Sequence, residues 1–387
     1  MLRTMLIERA LEHPLWGEKM PTAWVPLELK LAQEVENGKN ILSRTQLEFF
    51  NTQNRSFVLT ERQLESFLKI QHSLGKLVYF DDIHLKNFII INPMYLIEVL
   101  RSIITDKQFW PKESKLTEAF QRLRQEGIID RSTIYSIWEQ DKFRHIIPYK
   151  DFMIDILVHL DVLVAPKADF YFTELPLNDI RYFLVPCMIT EPDKTDFMAN
   201  HYSPSTSIVL AYEFIDDVIP PALSYRFLGS LLTMWDLKVY NGIRMLFSDL
   251  AVVHVGRYHD VAVQVIEKRV VVSLIHSESK SKIVSTLVSS VQECLTAAIH
   301  RISIFYSSLS GEEQQSNQQS NTPFEIQFGV ICNSSICFFN HTKMPSIGRP
   351  IWRCPTHKVN HDISSLRHWY AVKVKYIILF QTNLVSI

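Results

Sequence analysis

The sequence predicts an α+β protein in two parts: a helical first half with two tandem helix-and-strand-pair units, and a second half organised on an antiparallel sheet. Three observations predict it. Apolar residues recur at helical spacing through Leu64, Phe67, Leu68 and Leu74, and two short apolar runs follow, 77–80 and 88–91. A similar order recurs between Ile134 and Phe172. After Pro186 the chain turns to β-branched runs, in which Val261, Val263 and Val265 alternate as a half-buried antiparallel strand does.

Taken in order, residues 2–11 place Leu2, Met5, Leu6 and Ala10 at helical spacing, and His13-Pro14 breaks the helix. Thr60-Glu-Arg-Gln63 is a capping box, in which hydroxyl and amide satisfy each other's orphan N–H groups, and Gly75 ends the helix it opens. The runs 77–80 and 88–91, separated by an Asp81-Asp82 turn, are expected to pair as two strands. Asn92-Pro93 then caps and opens a helix over 94–104. Helix, two-stranded wing, helix is the order of a winged-helix unit. A second such unit is expected from a short helix at 134–138, a longer one at 151–160, and strands at 162–165 and 170–172 around a Pro166-to-Asp169 turn.

In the second half, 208–214 reads as a strand and Pro220-Pro221 as a stop. Leu223, Phe227, Leu228, Leu231, Leu232 and Trp235 form a helical stripe. Strands are expected at 244–247, 251–255, 261–265 and 270–275. A last helix over 281–302 aligns Val284, Leu287, Val291, Leu295, Ala298 and Ile302. Strand, helix, meander, helix is an α+β layer. Residues 307–322, rich in Ser, Gly, Glu, Gln and Asn, read as a flexible linker.

Bulk properties limit function. The 387 residues carry 40 basic and 41 acidic side chains, a formal charge of -1, which supplies no broad positive field for nucleic acid. The expected recognition helix, 61–71, sets Arg62 and Lys69 against Glu61 and Glu65, so a protein-facing wing is expected rather than a DNA-reading one. No signal peptide or membrane-crossing run is evident, and five cysteines in so long a chain do not make a disulfide framework. A cytoplasmic protein is expected. None of the ten glycines opens a phosphate cradle: Gly38-Lys39-Asn40 and Gly75-Lys76-Leu77 lack the hydroxyl residue and the upstream glycine. A kinase's glycine-rich loop and catalytic loop are likewise not found.

Pro21-Thr-Ala-Trp24-Val-Pro26-Leu-Glu-Leu29 resembles the opening of a COR domain, the module that follows the Ras-like Roc GTPase in Roco proteins. Within 67–82, His72, Gly75, Tyr79 and Phe80 match that family's His–x–x–Gly–x–hydrophobic–x–Tyr–Phe core. Asn92-Pro93-Met94-Tyr95-Leu96 follows where the family has Pro-x-Trp-Leu, with Tyr95 in place of the tryptophan. The resemblance implies 1–20 as the remnant of the last Roc helix, 21–186 as a winged-helix-like COR-A part, and 187–306 as an α+β COR-B part that dimerises. A linker at 307–323 and a small Cys/His-containing tail at 324–387 would complete the chain. It also implies no enzyme activity, a Roc-type GTPase as partner in cis or in trans, and a homodimer through the second part. Leu223, Phe227, Leu231 and Trp235 become the candidate dimer surface, although an amphipathic stripe is more often ordinary core. A fragment of a larger Roco GTPase or kinase, or a degenerate truncation product, is the alternative.

The tail offers the one metal chemistry. Cys332-x4-Cys337 and Cys354-x2-His357 are two ligand pairs of the kind that supply structural zinc, with His341, His361 and His368 nearby in sequence. The competing reading places Cys332 and Cys337 on a buried hairpin beside Ile331 and Phe338-Phe339, as small hydrophobes. A catalytic Cys–His pair lacks an evident third orienting group. His72 reads as a hydrogen-bonded structural histidine.

Overall fold

The structure, a computed structural model, describes residues 2–12, 20–53, 56–165, 180–215, 221–309, 324–332, 335–340 and 351–370. Helix α1 (Leu2–Leu11) forms as its spacing predicts, but Met5 (54%), Leu6 (61%), Ile7 and Leu11 on it stand exposed.

The first half is one arrangement built twice. In the first copy, α2 (Val25–Glu36) leads into β1 (Ile41–Ser43), then α3 (Arg44–Gln53), α4 (Glu61–Ser73) and β2 (Phe88–Ile90). Strand β1 pairs antiparallel with β2, and Val78 adds a single bridge to Ile90. Helix α5 (Pro93–Ile103) connects to the second copy: α6 (Ser114–Glu126), β3 (Ile128–Asp130), α7 (Arg131–Trp138), α8 (Lys150–His159) and β4 (Tyr182–Leu184). Here β3 pairs with β4, and Val164 bridges Leu184. Even the closing hydrogen bond repeats, from Arg44 N–H to the Asn87 carbonyl and from Arg131 N–H to the Arg181 carbonyl, each 2.8 Å.

Local signals set these helix ends. Thr60 and Gln63 form the capping box, and the Asn92 side chain accepts the Met94 N–H at 3.2 Å with Pro93 beside it in the first turn. At the end of α4, Gly75 (φ +68°) donates to the His72 carbonyl and Lys76 to that of Gln71, the paired bonds of a Schellman turn.

The strand pairing differs from expectation. Residues 77–80 do not pair along 88–91, because β2 uses its ladder on β1. Leu77 and Tyr79 bury their side chains in the first core while the backbone meets Ile90 only at Val78. Likewise 162–165 pairs only through Val164. The expected strand at 170–172 lies outside the described residues, and Tyr182–Leu184 supplies the pairing instead.

The second half is a seven-stranded antiparallel sheet. Helix α9 (Phe197–His201) precedes β5 (Ser207–Phe214), followed by α10 (Pro221–Met234), β6 (Asp236–Leu237) and the small hairpin β7 (Val239–Tyr240) with β8 (Ile243–Arg244). The meander β9 (Ala251–Gly256), β10 (His259–Ile266), β11 (Arg269–His276) comes next, then α11 (Ser285–Leu309), β12 (Phe324–Cys332) and β13 (Ser335–Asn340). The sheet order is β13-β12-β5-β11-β10-β9-β6. Helices α10 and α11 cover one face, where Phe227, Leu231, Val291, Leu295 and Ile302 meet Leu210, Tyr212, Val263 and Val272. Val284, assigned to the α11 stripe, is instead 49% exposed, one residue ahead of the helix.

Two expected boundaries fail. Residues 324–340 are not part of a separate tail domain, since β12 pairs with the central strand β5 from Phe324↔Phe214 to Gly329↔Val209. The division near 186 is also bridged: Ile128, Val164, Leu184 and Ile189 belong to the core of the sheet half, and Arg226 on α10 ion-pairs with Asp161 at 2.9 Å. Most of the expected 307–323 linker lies outside the described residues. A last hairpin, β14 (Ile351–Arg353) with β15 (Asn360–Asp362), and the short α12 (Arg367–Tyr370) end the described chain. Among the described residues no helix is long and apolar enough to cross a membrane.

Candidate functional site

The four residues proposed as metal ligands converge. Strands β12 and β13 pair antiparallel, with Cys332 facing Ser335 and Cys337 facing Val330. Paired residues point to the same side of a sheet and positions two apart share it, so Cys332 and Cys337 lie diagonally on one face. That is the face of Phe328 and Phe339 and of the helices. Cys354 follows β14, and His357 lies in the loop to β15. Backbone bonds from Cys354 N–H to the Val359 carbonyl (2.9 Å) and from Lys358 N–H to the Cys354 carbonyl (2.8 Å) close that loop into a tight turn, with Lys358 at φ +55°.

One ligand atom from each of Cys332, Cys337, Cys354 and His357 lies within 4.8 Å of all the others. His357 Nδ1 is 3.2 Å from Cys337 Sγ and 3.6 Å from Cys354 Sγ, and the two sulfurs are 3.3 Å apart. All three cysteines are buried while His357 closes the group from the solvent side. Trp352 packs on the cluster and stacks on Phe339 with ring centroids 4.7 Å apart.

The three thiols differ. Burial pushes the Cys337 thiol up, and its interactions with Cys354 push it further; burial raises Cys332 as well. Burial also opposes ionisation of Cys354, but the His357 N–H, which donates to its sulfur at 3.3 Å, and the neighbouring Cys337 and His357 side chains outweigh it and bring this thiol down.

The other histidines of this region are not part of the group. His361 stacks on Trp352, and His368 Nδ1 meets Ser285 Oγ on α11 at 2.6 Å. His341 lies outside the described residues. Trp352 and the Ser285–His368 contact were not singled out from the sequence, because neither has a local pattern to mark it.

The candidate dimer surface is corrected. Leu223, Phe227 and Leu231 are at most 3% exposed, packed under α11 and the sheet of their own chain, and Trp235 packs against the same core. Leu223, Phe227 and Leu231 are therefore spent on the intramolecular core, and of the four only Trp235 keeps part of its surface exposed.

The motif residues of the first half are structural. Trp24 packs edge-on to Phe67 at 5.5 Å. His72 Nδ1 accepts the Tyr79 N–H at 3.3 Å, and its ring lies edge-on to Phe80, whose other neighbour is His159 on α8 at 4.6 Å. The Tyr79 hydroxyl donates to Glu65, which also receives Arg44 at 2.8 Å. Burial, then the Glu65 carboxylate, holds the Tyr79 hydroxyl in its neutral form.

Comparison with known proteins bears on this part of the chain. Residues 21–188 match the family model for the C-terminal of Roc, COR-A domain. The match ends at Met188, just beyond the second copy of the repeated arrangement, so the stretch similar to COR-A domains takes in both copies and α5 between them. The chain is also similar to a probable serine/threonine-protein kinase, pats1, of Dictyostelium discoideum, at 27% identity over 135 residues. That stretch is 34% of this chain and 4% of the relative, so the chain corresponds to a small part of that protein. Among solved structures, Methanosarcina barkeri Roco2 RocCORdC bound to GDP is similar over 49% of this chain and 50% of that one, with 15% identity and a TM-score of 0.33.

Proposed function

We propose that this chain is the dimerisation and GTPase-coupling module of a Roco-type signalling protein, non-catalytic itself, cytosolic, and acting by docking a Roc-type GTPase and a second copy of the chain. The COR-A match over 21–188 is the observation that carries this reading. The duplicated helix–strand–helix–helix–strand arrangement supports two winged-helix units within it. Their surfaces favour protein over nucleic acid: Lys69 on α4 ion-pairs with Asp81, and Arg44 with Glu48 and Glu65, so the positive charge that would meet phosphates is already neutralised. Since the α10 stripe is core, the homodimer in this reading uses other surface of the sheet half. Coupling to nucleotide state follows from switch loops that present different surfaces with and without a γ-phosphate.

The test is light scattering coupled to size exclusion, on the 387-residue chain alone and mixed with a Roc domain loaded with GDP or a non-hydrolysable GTP analogue. A dimer and a nucleotide-dependent complex are expected. A strict monomer that binds no Roc domain in either state overturns the proposal. A second reading, a segment of a larger Roco kinase, is favoured by the small share of the Dictyostelium protein that the chain spans. A co-purifying transcript encoding a kinase domain in frame with residue 387 would establish it.

A further inference from the structure

We infer that Cys332, Cys337, Cys354 and His357 hold one structural Zn²⁺ that clasps the β14–β15 hairpin onto the β12–β13 edge of the sheet. Zinc bound to thiolate at about 2.3 Å and to imidazole nitrogen at about 2.0 Å requires ligand atoms about 3.5 to 3.8 Å apart at the corners of a tetrahedron. The separations of 3.2, 3.3 and 3.6 Å, with all four atoms within 4.8 Å of one another, lie within a few tenths of an ångström of that spacing or just short of it, so small side-chain shifts would open the group around an ion. The ligands come as two pairs, Cys332 and Cys337 on adjacent paired strands and Cys354 and His357 on one tight turn, and the His357 N–H that points at Cys354 Sγ is the kind of bond that stabilises a metal thiolate.

Packing alone explains the group less well. Small hydrophobes would bury three sulfurs among apolar neighbours, whereas here a histidine nitrogen is turned in among them. Four protein ligands leave no open position, which marks the site as structural rather than catalytic. Three thiolates and a neutral imidazole favour zinc over calcium or magnesium, which take oxygen ligands. The metal would add a direct tie between the hairpin, which pairs at only three positions, and the sheet edge, beside the apolar contacts of Trp352, Ile363, Leu366 and Trp369. The inference does not depend on the function proposed above.

The experiment uses the full chain purified without chelators. One zinc per chain is expected by plasma mass spectrometry. Chelator-stripped protein titrated with Co²⁺ should show thiolate-to-cobalt charge transfer and the intense visible bands of a tetrahedral ion. C337S, C354S and H357A should each lose stoichiometric metal, while C294S, which alters an exposed cysteine elsewhere, keeps it. His357 is in an exposed loop, so H357A can report even where a core cysteine variant misfolds. Hydrogen exchange over 351–370 should rise on stripping and fall when zinc is restored. The inference is overturned if the unmodified chain binds neither zinc nor cobalt, or if intact mass shows Cys337 and Cys354 joined as a disulfide under the reducing conditions of purification.

Discussion

Gly127 and Gly75 provide a controlled comparison of backbone and packing. Both sit at φ +68°, in the left-handed region, at a helix end. A Cβ at Gly75 would meet nothing within 4 Å, whereas one at Gly127 would lie 2.6 Å from Ile189 Cδ1 and 2.8 Å from its Cγ1. Ile189 is 3% exposed, and its branched side chain is stiff, so it cannot swing aside freely. Gly75→Ala should therefore cost the left-handed strain alone, about 1 to 2 kcal/mol, partly offset by reduced freedom of the unfolded chain. Gly127→Ala should add overpacking of about 1 to 3 kcal/mol. The sites are far apart in sequence with no shared partner, so the costs should be independent. Urea unfolding followed by circular dichroism and tryptophan fluorescence measures both midpoints. Equal midpoints for the two variants would show that Ile189 does not press on Gly127, and with it would go the packing that joins the COR-A-like stretch to the sheet half.

Other outcomes follow from the same structure. Phe227→Ala, deep under α11, should destabilise by about 3 to 5 kcal/mol in thermal or urea unfolding while leaving any dimer stoichiometry unchanged by light scattering at temperatures where the variant is folded. Asn92→Ala removes the N-cap of α5 and should cost about 1 kcal/mol in urea unfolding, while Asn92→Asp keeps the cap but loses the Nδ2 donor to Asn40 Oδ1, so it should recover only part of that loss. His259 is buried, its Nε2 has no hydrogen-bond partner among the described residues, and His276 stands edge-on at 4.8 Å. Burial first, then His276, lowers its pKa below the ordinary histidine value, with Asp260 opposing and His254 adding to the effect. The unfolded chain therefore takes up a proton there that the folded chain refuses, so stability is full above about pH 6.5 and falls as the pH drops below it. His259→Gln should flatten that part of the pH–stability curve, read as urea midpoints between neutral and mildly acidic pH.

What the sequence disclosed was what local chemistry writes locally. The Thr60–Gln63 box, the Asn92-Pro93 start and the Gly75 stop each involve a few adjacent residues, and each forms as read. The sheet's meander was legible because alternation is a property of single strands. Pairing was not: Ile41–Ser43 is too short to show a period, and its partner Phe88–Ile90 lies beyond two helices. The stripe on α10 stayed ambiguous for the opposite reason, since an amphipathic face looks the same whether its cover is another chain or α11. At the tail both sequence readings describe part of the outcome. Cys332 and Cys337 do lie on a buried hairpin, and they also meet Cys354 and His357. Spacing identified the pairs, but only the placement of β14 against β13 brings them together.

The position of β5 constrains how this gene can be cut. Its two neighbours, β11 and β12, lie on opposite sides in space and come from well-separated stretches of chain, with α11 between them. A splice variant or expression fragment ending shortly after α11 would leave Val209 to Phe214 as a new edge of an apolar sheet with a bare row of amides and carbonyls, a template for intermolecular strand addition. Soluble pieces should therefore stop before Ser207 or continue past Asn340, and exon boundaries compatible with a stable product are expected to respect those two limits.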